Sequence, residues 1–405
     1  MLNIEGTTLL GMKDTLVIPE GIETIEKSSF ENCKWIKHIK FPMSLRYIEY
    51  RAFYCCTSLE DVTISTGARN IENSAFCGCT SLKSVVIPEG VEKIGKLAFA
   101  GCHALEEIHI PSSITNIDYN AFQDCVSLKK ITVAPGNKEY SSDGIALFNK
   151  EKSLLHILPA GCEAYTIPDT VKYIGYHACD GCVKIKKIVI PDSVTSMDSY
   201  AFAGCVSLES VTISRGLKSI ECSVFKDCLS LEEVRIPETL EKIEAHAFAG
   251  CASLSRIDIP NSVHTIEDNA FEGCSMLHDI TLPDCLDTIN CDVFSGCISL
   301  ETIDLKNVTT IYKGAFYGCS NLKEVVMNRI EFEEGMGEPF HGCTSLTEAG
   351  ITAPAGVAKE IIKSVELNNK ILGNLISPQT LSKINAEEEK RKLIKGVWKD
   401  YLSSR

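Results

Sequence analysis

Cys179-Asp180-Gly181-Cys182 places two thiols three residues apart, the spacing of a redox dithiol or of half a zinc site. The chain holds twenty cysteines and nine histidines in 405 residues, so thiol or metal chemistry is the first to test. A structural zinc site needs a second Cys or His pair at suitable spacing, and none accompanies this one. The histidines fall at unrelated spacings. No H-E-x-x-H, G-x-S-x-G, Walker loop or G-x-G-x-x-G occurs. No catalytic residue, metal site or cofactor is therefore expected, and the chain reads as a non-enzyme.

The cysteines instead mark a repeat. One closes each "AFxGC"-like unit: Cys33, Cys56, Cys79, Cys102, Cys125, Cys182, Cys205, Cys228, Cys251, Cys274, Cys297, Cys319 and Cys343. The successive gaps are 23 residues, apart from 57 after Cys125 and then 22 and 24 at the end. A Phe stands three residues before the cysteine in twelve of the thirteen units, and Cys179 takes its place in the other. The C-x-x-C is thus one repeat unit with Phe exchanged for Cys. Leu or Ile stands three after the cysteine. Apolar pairs such as Val62 and Ile64, or Ile257 and Ile259, stand six and eight after it, often followed by proline.

A period of two at six and eight predicts a short strand with one face inward, which the proline ends. The "AFxGC" unit is expected to form a helical or 3₁₀ turn with Phe and Cys inward. A 23-residue unit cannot bury its own apolar face, but stacked units can. The expected fold is a β-rich α/β solenoid, a right-handed superhelix of about thirteen turns with a parallel sheet along one face.

Units such as residues 75–95 (AFCGCTSLKSVVIPEGVEKIG) and 201–221 (AFAGCVSLESVTISRGLKSIE) closely resemble the BspA-like leucine-rich repeats, over residues from about 16 to 352. The resemblance implies a non-catalytic solenoid. Members are largely bacterial surface or secreted proteins, with others in parasitic protists, and some are implicated in adhesion to host matrix proteins or to other cells. It extends to the insert described next, since such hairpins recur in these arrays.

Two regions break the pattern. Residues 134–165 form a longer unit in which runs at 145–148 and 154–158 flank a polar turn at 149–152, the signature of a β-hairpin. Such a hairpin reads either as a protruding specificity element or as a structural irregularity. Beyond residue 353 the repeat is lost. Ser377-Pro378 looks like a helix start, and Ile394, Val397, Trp398 and Leu402 share a helical face. Residues 1–353 are therefore read as the solenoid and 354–405 as a helical cap or a docking tail. The tail carries ten Lys or Arg against six Asp or Glu, or +4, which leaves −18 of the total −14 on the solenoid.

An acidic body of this kind excludes a general nucleic-acid binder, which needs a basic face. No apolar run of 18 residues predicts a transmembrane helix. No signal peptide is apparent, so the reading is cytoplasmic, or cell surface or secreted if a signal has been removed. Many free thiols favour a reducing setting. Residues four, five and seven after each cysteine should face solvent from the strands, and their charges alternate in sign over the first five turns, as a self-neutralising ladder would. Lys129, Lys130, Lys186 and Lys187 flank the insert with no acid between them in this pattern. They are the candidate ligand patch, suited to an acidic protein segment or an anionic glycan. The leading expectation is an adhesion-type scaffold binding a macromolecule along the strand face. The alternative is an intracellular regulatory protein acting through its C-terminal helices.

Overall fold

The computed structural model describes residues 14–328 and 338–353, together with 358, 361, 362 and 365. Each turn supplies one strand of two to four residues at the position that the apolar pairs mark. In Asp61–Thr63 the side chain of Val62 is buried while Thr63 faces solvent. Thr15–Val17, His38–Lys40, Asp61–Thr63 and Ser84–Val86 pair in parallel at a step of 23 residues, Ile39 against Val62 and Val62 against Val85. A second set of two-residue strands follows: Thr24–Ile25, Tyr47–Ile48, Asn70–Ile71, Lys93–Ile94 and Asn116–Ile117, also parallel. The described chain makes about fourteen such turns, because Thr15–Val17 precedes the first "AFxGC" unit.

The corner between the two strand sets is neither helical nor 3₁₀. Its amides alternate between the chain's own turn and the next one. Phe53 N donates to Ala75 O at 2.8 Å and Cys55 N to Cys77 O at 2.7 Å, whereas Tyr54 N and Cys56 N close tight turns on Arg51 O and Phe53 O. The corner is thus a third hydrogen-bonded face of the stack. Left-handed residues make this possible. Ser74 and Gly78 sit at φ 56° and 74°, and equivalent residues recur in most turns. Positive φ interrupts right-handed winding, so the expected helical corner, and the α/β label with it, gives way to linked β-turns. The one helix delimited among the described residues is the 3₁₀ turn Glu348–Gly350.

Phe and Cys fill the core as the spacing required. Consecutive phenylalanines stack nearly parallel, with ring centroids 5.2 Å apart for Phe53 on Phe76 and 5.4 Å for Phe248 on Phe271. The ladder cysteines beyond Cys33 have a further role that core filling alone does not explain. In ten of the thirteen the thiol donates to the carbonyl of the preceding turn's Phe, as Cys56 to Phe30 at 3.1 Å, Cys228 to Phe202 at 3.2 Å and Cys343 to Phe316 at 3.2 Å, while Cys205 donates to Cys179 O in the same slot. Alanine could fill that volume but could not make the bond.

The insert is larger than a hairpin and does not protrude. Tyr140–Ser142, Leu147–Asn149 and Leu154–Ile157 form an antiparallel meander, whose last strand pairs in parallel with Tyr173–Ile174 of the resumed array. Both of its faces are buried. Leu147 and Ile157 belong to one apolar core, running from Leu16 to Ile131; Ala146, Phe148, Leu155 and Leu158 belong to another, running on to Val365. The meander is the wall between two cores, which overturns the reading as a protruding specificity element. Leu158 stands in for a corner Phe: its N–H donates to Ala178 O at 2.6 Å, the bond that Phe makes elsewhere. Leu158, Phe148 and Leu155 are buried in the same apolar core as Cys179.

Side chains finish what the broken short-strand ladder leaves open. Ile117 N donates to the Tyr140 hydroxyl at 2.8 Å, and His156 Nε2 donates to Ile117 O at 3.0 Å. That donation requires the Nε2–H tautomer. Burial holds the His156 pKa below its ordinary 6.5, with the Ile117 carbonyl and Asp118 opposing. The folded state therefore binds this proton less readily than the unfolded chain, so the contribution is present above pH 6.5 and is lost as pH falls toward the folded value. Thermal unfolding of wild type is expected to show an acid loss, beginning near pH 6.5, that His156→Gln lacks. Glutamine keeps a donor for Ile117 O but does not titrate, and identical profiles for the two proteins would refute the assignment.

The expected helical segment at 354–405 lies almost wholly outside the described residues, as do Ser377, Ile394, Val397, Trp398 and Leu402. Ala358, Ile361, Ile362 and Val365 carry helical backbone at a spacing that shares one face, and Ile361 and Val365 are buried on the second core. No α-helix is delimited there.

Candidate functional site on the strand face

The strand face is a solvent-exposed lattice of charges with a step of one turn. Lys37 meets Asp14 at 3.4 Å, His38 meets Asp61 at 2.6 Å, Lys83 meets Glu60 at 3.0 Å and Lys323 meets Glu301 at 2.9 Å. Exposed pairs of this kind are screened by water and contribute little to stability. They cancel charge along the face and so mark the places where cancellation stops.

The structure divides the four candidate lysines. Lys129 pairs with Glu106 at 3.3 Å and Lys186 with Glu209 at 2.7 Å, each on the side away from the insert. Lys130 and Lys187 are exposed, and among the described residues neither meets a carboxylate. The two pairs are not brought onto adjacent paired strands. The outer edge of Lys130–Val133 is taken by the insert, where Ile131 N donates to Ile145 O at 2.8 Å and the Ser142 hydroxyl donates to Ile131 O at 2.6 Å. The insert also brings Asp143, which accepts from the Tyr165 hydroxyl at 2.6 Å. Lys129 and Lys186 thus have acids within ion-pair distance, whereas Lys130 and Lys187 make no ion pair among the described residues, although Glu107 stands opposite Lys130 in the strand register.

Beside Lys130 the face carries a groove of about 670 Å³, lined by Lys83, Val86, Glu107, His109, Lys130 and Thr132 among others. Val86 is 54% exposed, and Val189, beyond the insert, is 52% exposed. The row seven after each cysteine begins at Lys40 and later carries Arg235, Asp258 and Asp304, but between Lys40 and Arg235 it runs Thr63, Val86, His109, Thr132 and then Val189 and Thr212, six turns with no carboxylate or lysine. His109 Nδ1 and the Thr132 hydroxyl lie 2.9 Å apart along it. This uncharged row was not singled out from the sequence, where attention to charge hid it. Its signal was present in the alternation of each strand.

Among the described residues no group of three or more His, Cys, Asp or Glu side chains could hold a metal ion. Cys179 and Cys182 are fully buried; burial raises the Cys179 thiol well above its ordinary value, and the hydrogen bond with the Cys205 thiol, together with burial, raises that of Cys182. Thiolate is the reactive form, so both read as core residues of the corner. Asp180 between them accepts from His177 Nδ1 at 2.7 Å and from Gln123 Nε2 at 3.0 Å, tying the corner together across the insert.

The model of the BspA type leucine rich repeat region matches residues 13–139, 160–278, 241–363 and 275–387. The chain belongs to the BspA-type leucine-rich repeat family. Its fold is similar to that of a leucine-rich repeat protein from Eubacterium ventriosum, with a TM-score of 0.63 and 24% identity over 80% of this chain and 91% of that one. It is similar to the pneumococcal vaccine antigen PcpA, with a TM-score of 0.58 and 24% identity over 84% and 77%. A leucine rich cell surface protein from Faecalibacterium prausnitzii matches with a TM-score of 0.51 and 27% identity over 80% of each chain. No curated protein matches the sequence. BspA-type repeats of this kind are scaffolds, and no catalytic family is indicated for this chain. No helix among the described residues is long and apolar enough to cross a membrane.

Proposed function

We propose that the solenoid binds a macromolecular partner along its strand face, centred on the groove beside Lys130 and reaching across the insert to Lys187. The observation that carries this reading is the pair of exposed lysines without carboxylate partners, set beside an uncharged row with two exposed valines on a face otherwise neutralised turn by turn. Apolar contact with unpaired cations at its margin suits an acidic protein segment, which the uncharged row would hold by side-chain packing and the lysines by charge. An anionic glycan is the other ligand that the lysines would accept. The likeness to a cell surface protein supports an adhesion-type setting. The free thiols do not oppose it: the ladder cysteines other than Cys33 are buried, and burial raises thiols such as Cys79, Cys251 and Cys297, which leaves little thiolate to oxidise.

Charge reversal tests the proposal against its own control. Lys130→Glu with Lys187→Glu, and Lys129→Glu with Lys186→Glu, change the net charge equally. Retention on immobilised poly-glutamate is expected to fall about tenfold or more for the first pair and much less for the second. Equal losses would show a response to net charge alone and would refute the site. Retention on heparin but not on poly-glutamate would assign the glycan instead.

A further inference from the structure

One residue of the corner column sits where its backbone conformation is unfavourable. The position before the ladder cysteine takes positive φ in every turn; nine turns use Gly there, and Asn32, Asp124 and Asp227 are residues that tolerate it. The remaining turn uses Cys55, at φ 56°. Left-handed Ser, Arg, Leu, His and Tyr occur four residues earlier in the corners, but within this column Cys55 alone departs from Gly, Asn and Asp, and that departure directs attention to its side chain.

A second thiol lies one turn away. Cys55 N donates to Cys77 O at 2.7 Å, and covalent dimensions then hold the two Cα atoms within about 6.5 Å, inside the span of a disulfide. The Cys55 sulfur leans toward that turn, since a Cβ built on Gly78 would stand 2.8 Å from it. Apart from the 57-residue step across the insert, the ladder cysteines lie 22 to 24 residues apart in register, and all beyond Cys33 are buried in the core. Cys55 and Cys77 are offset diagonally by one residue at the surface, and both are partly exposed. Arg51 stands beside them, its guanidinium 3.9 Å from the Tyr54 ring centroid. Burial and the neighbouring Cys55 push the Cys77 thiol up to about 11, and Arg51 opposes this.

We propose that Cys55 and Cys77 are a redox-responsive pair that closes into a cross-turn disulfide on meeting a small-molecule disulfide. The Cys55 thiolate attacks one sulfur of the reagent, forming a mixed disulfide and releasing one thiolate. Cys77 then loses its proton and attacks the Cys55 sulfur, expelling the second. The protein gives up two electrons and two protons, and the reagent leaves as two thiols. The product staples the second and third "AFxGC" corners together.

The test exposes the folded full-length chain to glutathione disulfide, then counts thiols after denaturation and maps tryptic peptides. Wild type is expected to fall from twenty thiols to eighteen, with peptides 52–69 and 70–83 cross-linked and two hydrogens lighter. Cys55→Gly restores the residue used elsewhere in the column, so folding is not at stake; it and Cys77→Ser are expected to lose the cross-link, while Cys56→Ser keeps it. Wild type that retains twenty thiols, stops at a glutathione adduct, or cross-links equally in Cys55→Gly would overturn the proposal.

Discussion

Phe248→Ala is expected to destabilise the C-terminal core by about 3–5 kcal/mol, the usual range for emptying a buried phenylalanine site. The position is unforgiving for a specific reason. The Phe248 ring stacks between Phe225 at 5.5 Å and Phe271 at 5.4 Å, so truncation removes two aromatic contacts and leaves a void that neither neighbour can close without leaving its own stack. The backbone at this site is also committed. Phe248 N donates to Ala270 O, and Phe248 O accepts the Cys274 thiol at 3.3 Å. Inward collapse would break both bonds. Phe30→Ala is the comparison, because Phe30 stacks on Phe53 alone among the described residues, and its loss is expected to be clearly smaller. Urea denaturation of the two variants checks the order; equal losses would mean that ring stacking through the column carries little of the stability.

The natural exchange of Phe for Cys at position 179 shows what tolerating that loss requires. There the chain supplies Leu158 to the corner, with Phe148 and Leu155 behind it, all within the same core. No such replacement exists near Phe248.

This exchange also shows where the sequence could be read and where it could not. The phases of Phe, Cys and the strand pairs were legible because every turn presents nearly the same environment, so each position recurs with its reason. The insert has no second copy. Its two-sided burial did leave a trace, since Ala146, Leu147 and Phe148 run apolar without alternation, as a strand covered on both faces does. Tyr140–Ser142 left none, because a polar strand held by Asn149 O and by the edge of Lys130–Val133 has no apolar period. The left-handed corner was hidden for a similar reason: Ser, Arg, His and Tyr occupy it as well as Gly. The lysine patch was half legible. Spacing placed all four residues on the strand face, but the side-chain pairing of Lys129 and Lys186 depends on which neighbour each reaches, and sequence phase does not encode that.

The wall between the cores leads to a prediction about unfolding itself. Leu147 and Phe148 are consecutive and both fully buried, yet they face opposite ways, Leu147 into the N-terminal core and Phe148 into the C-terminal one. In a stack where each turn contacts only its neighbours, stability is a sum of local terms, and a break in core continuity is where cooperativity should divide. Leu147→Ala is expected to weaken residues 16–131 by about 2–5 kcal/mol, and Phe148→Ala residues 167–351 by about 3–5 kcal/mol. Hydrogen exchange resolved by peptide separates the two. Each variant should accelerate exchange in its own half, with the far half close to wild type. The meander's hydrogen bonds to both sides still pass some coupling, through Ile145 O to Ile131 and from Leu158 N to Ala178. The test is therefore the asymmetry between the halves. Equal acceleration of both halves by either variant would show that the array unfolds as one unit and that the wall transmits stability as fully as an ordinary turn.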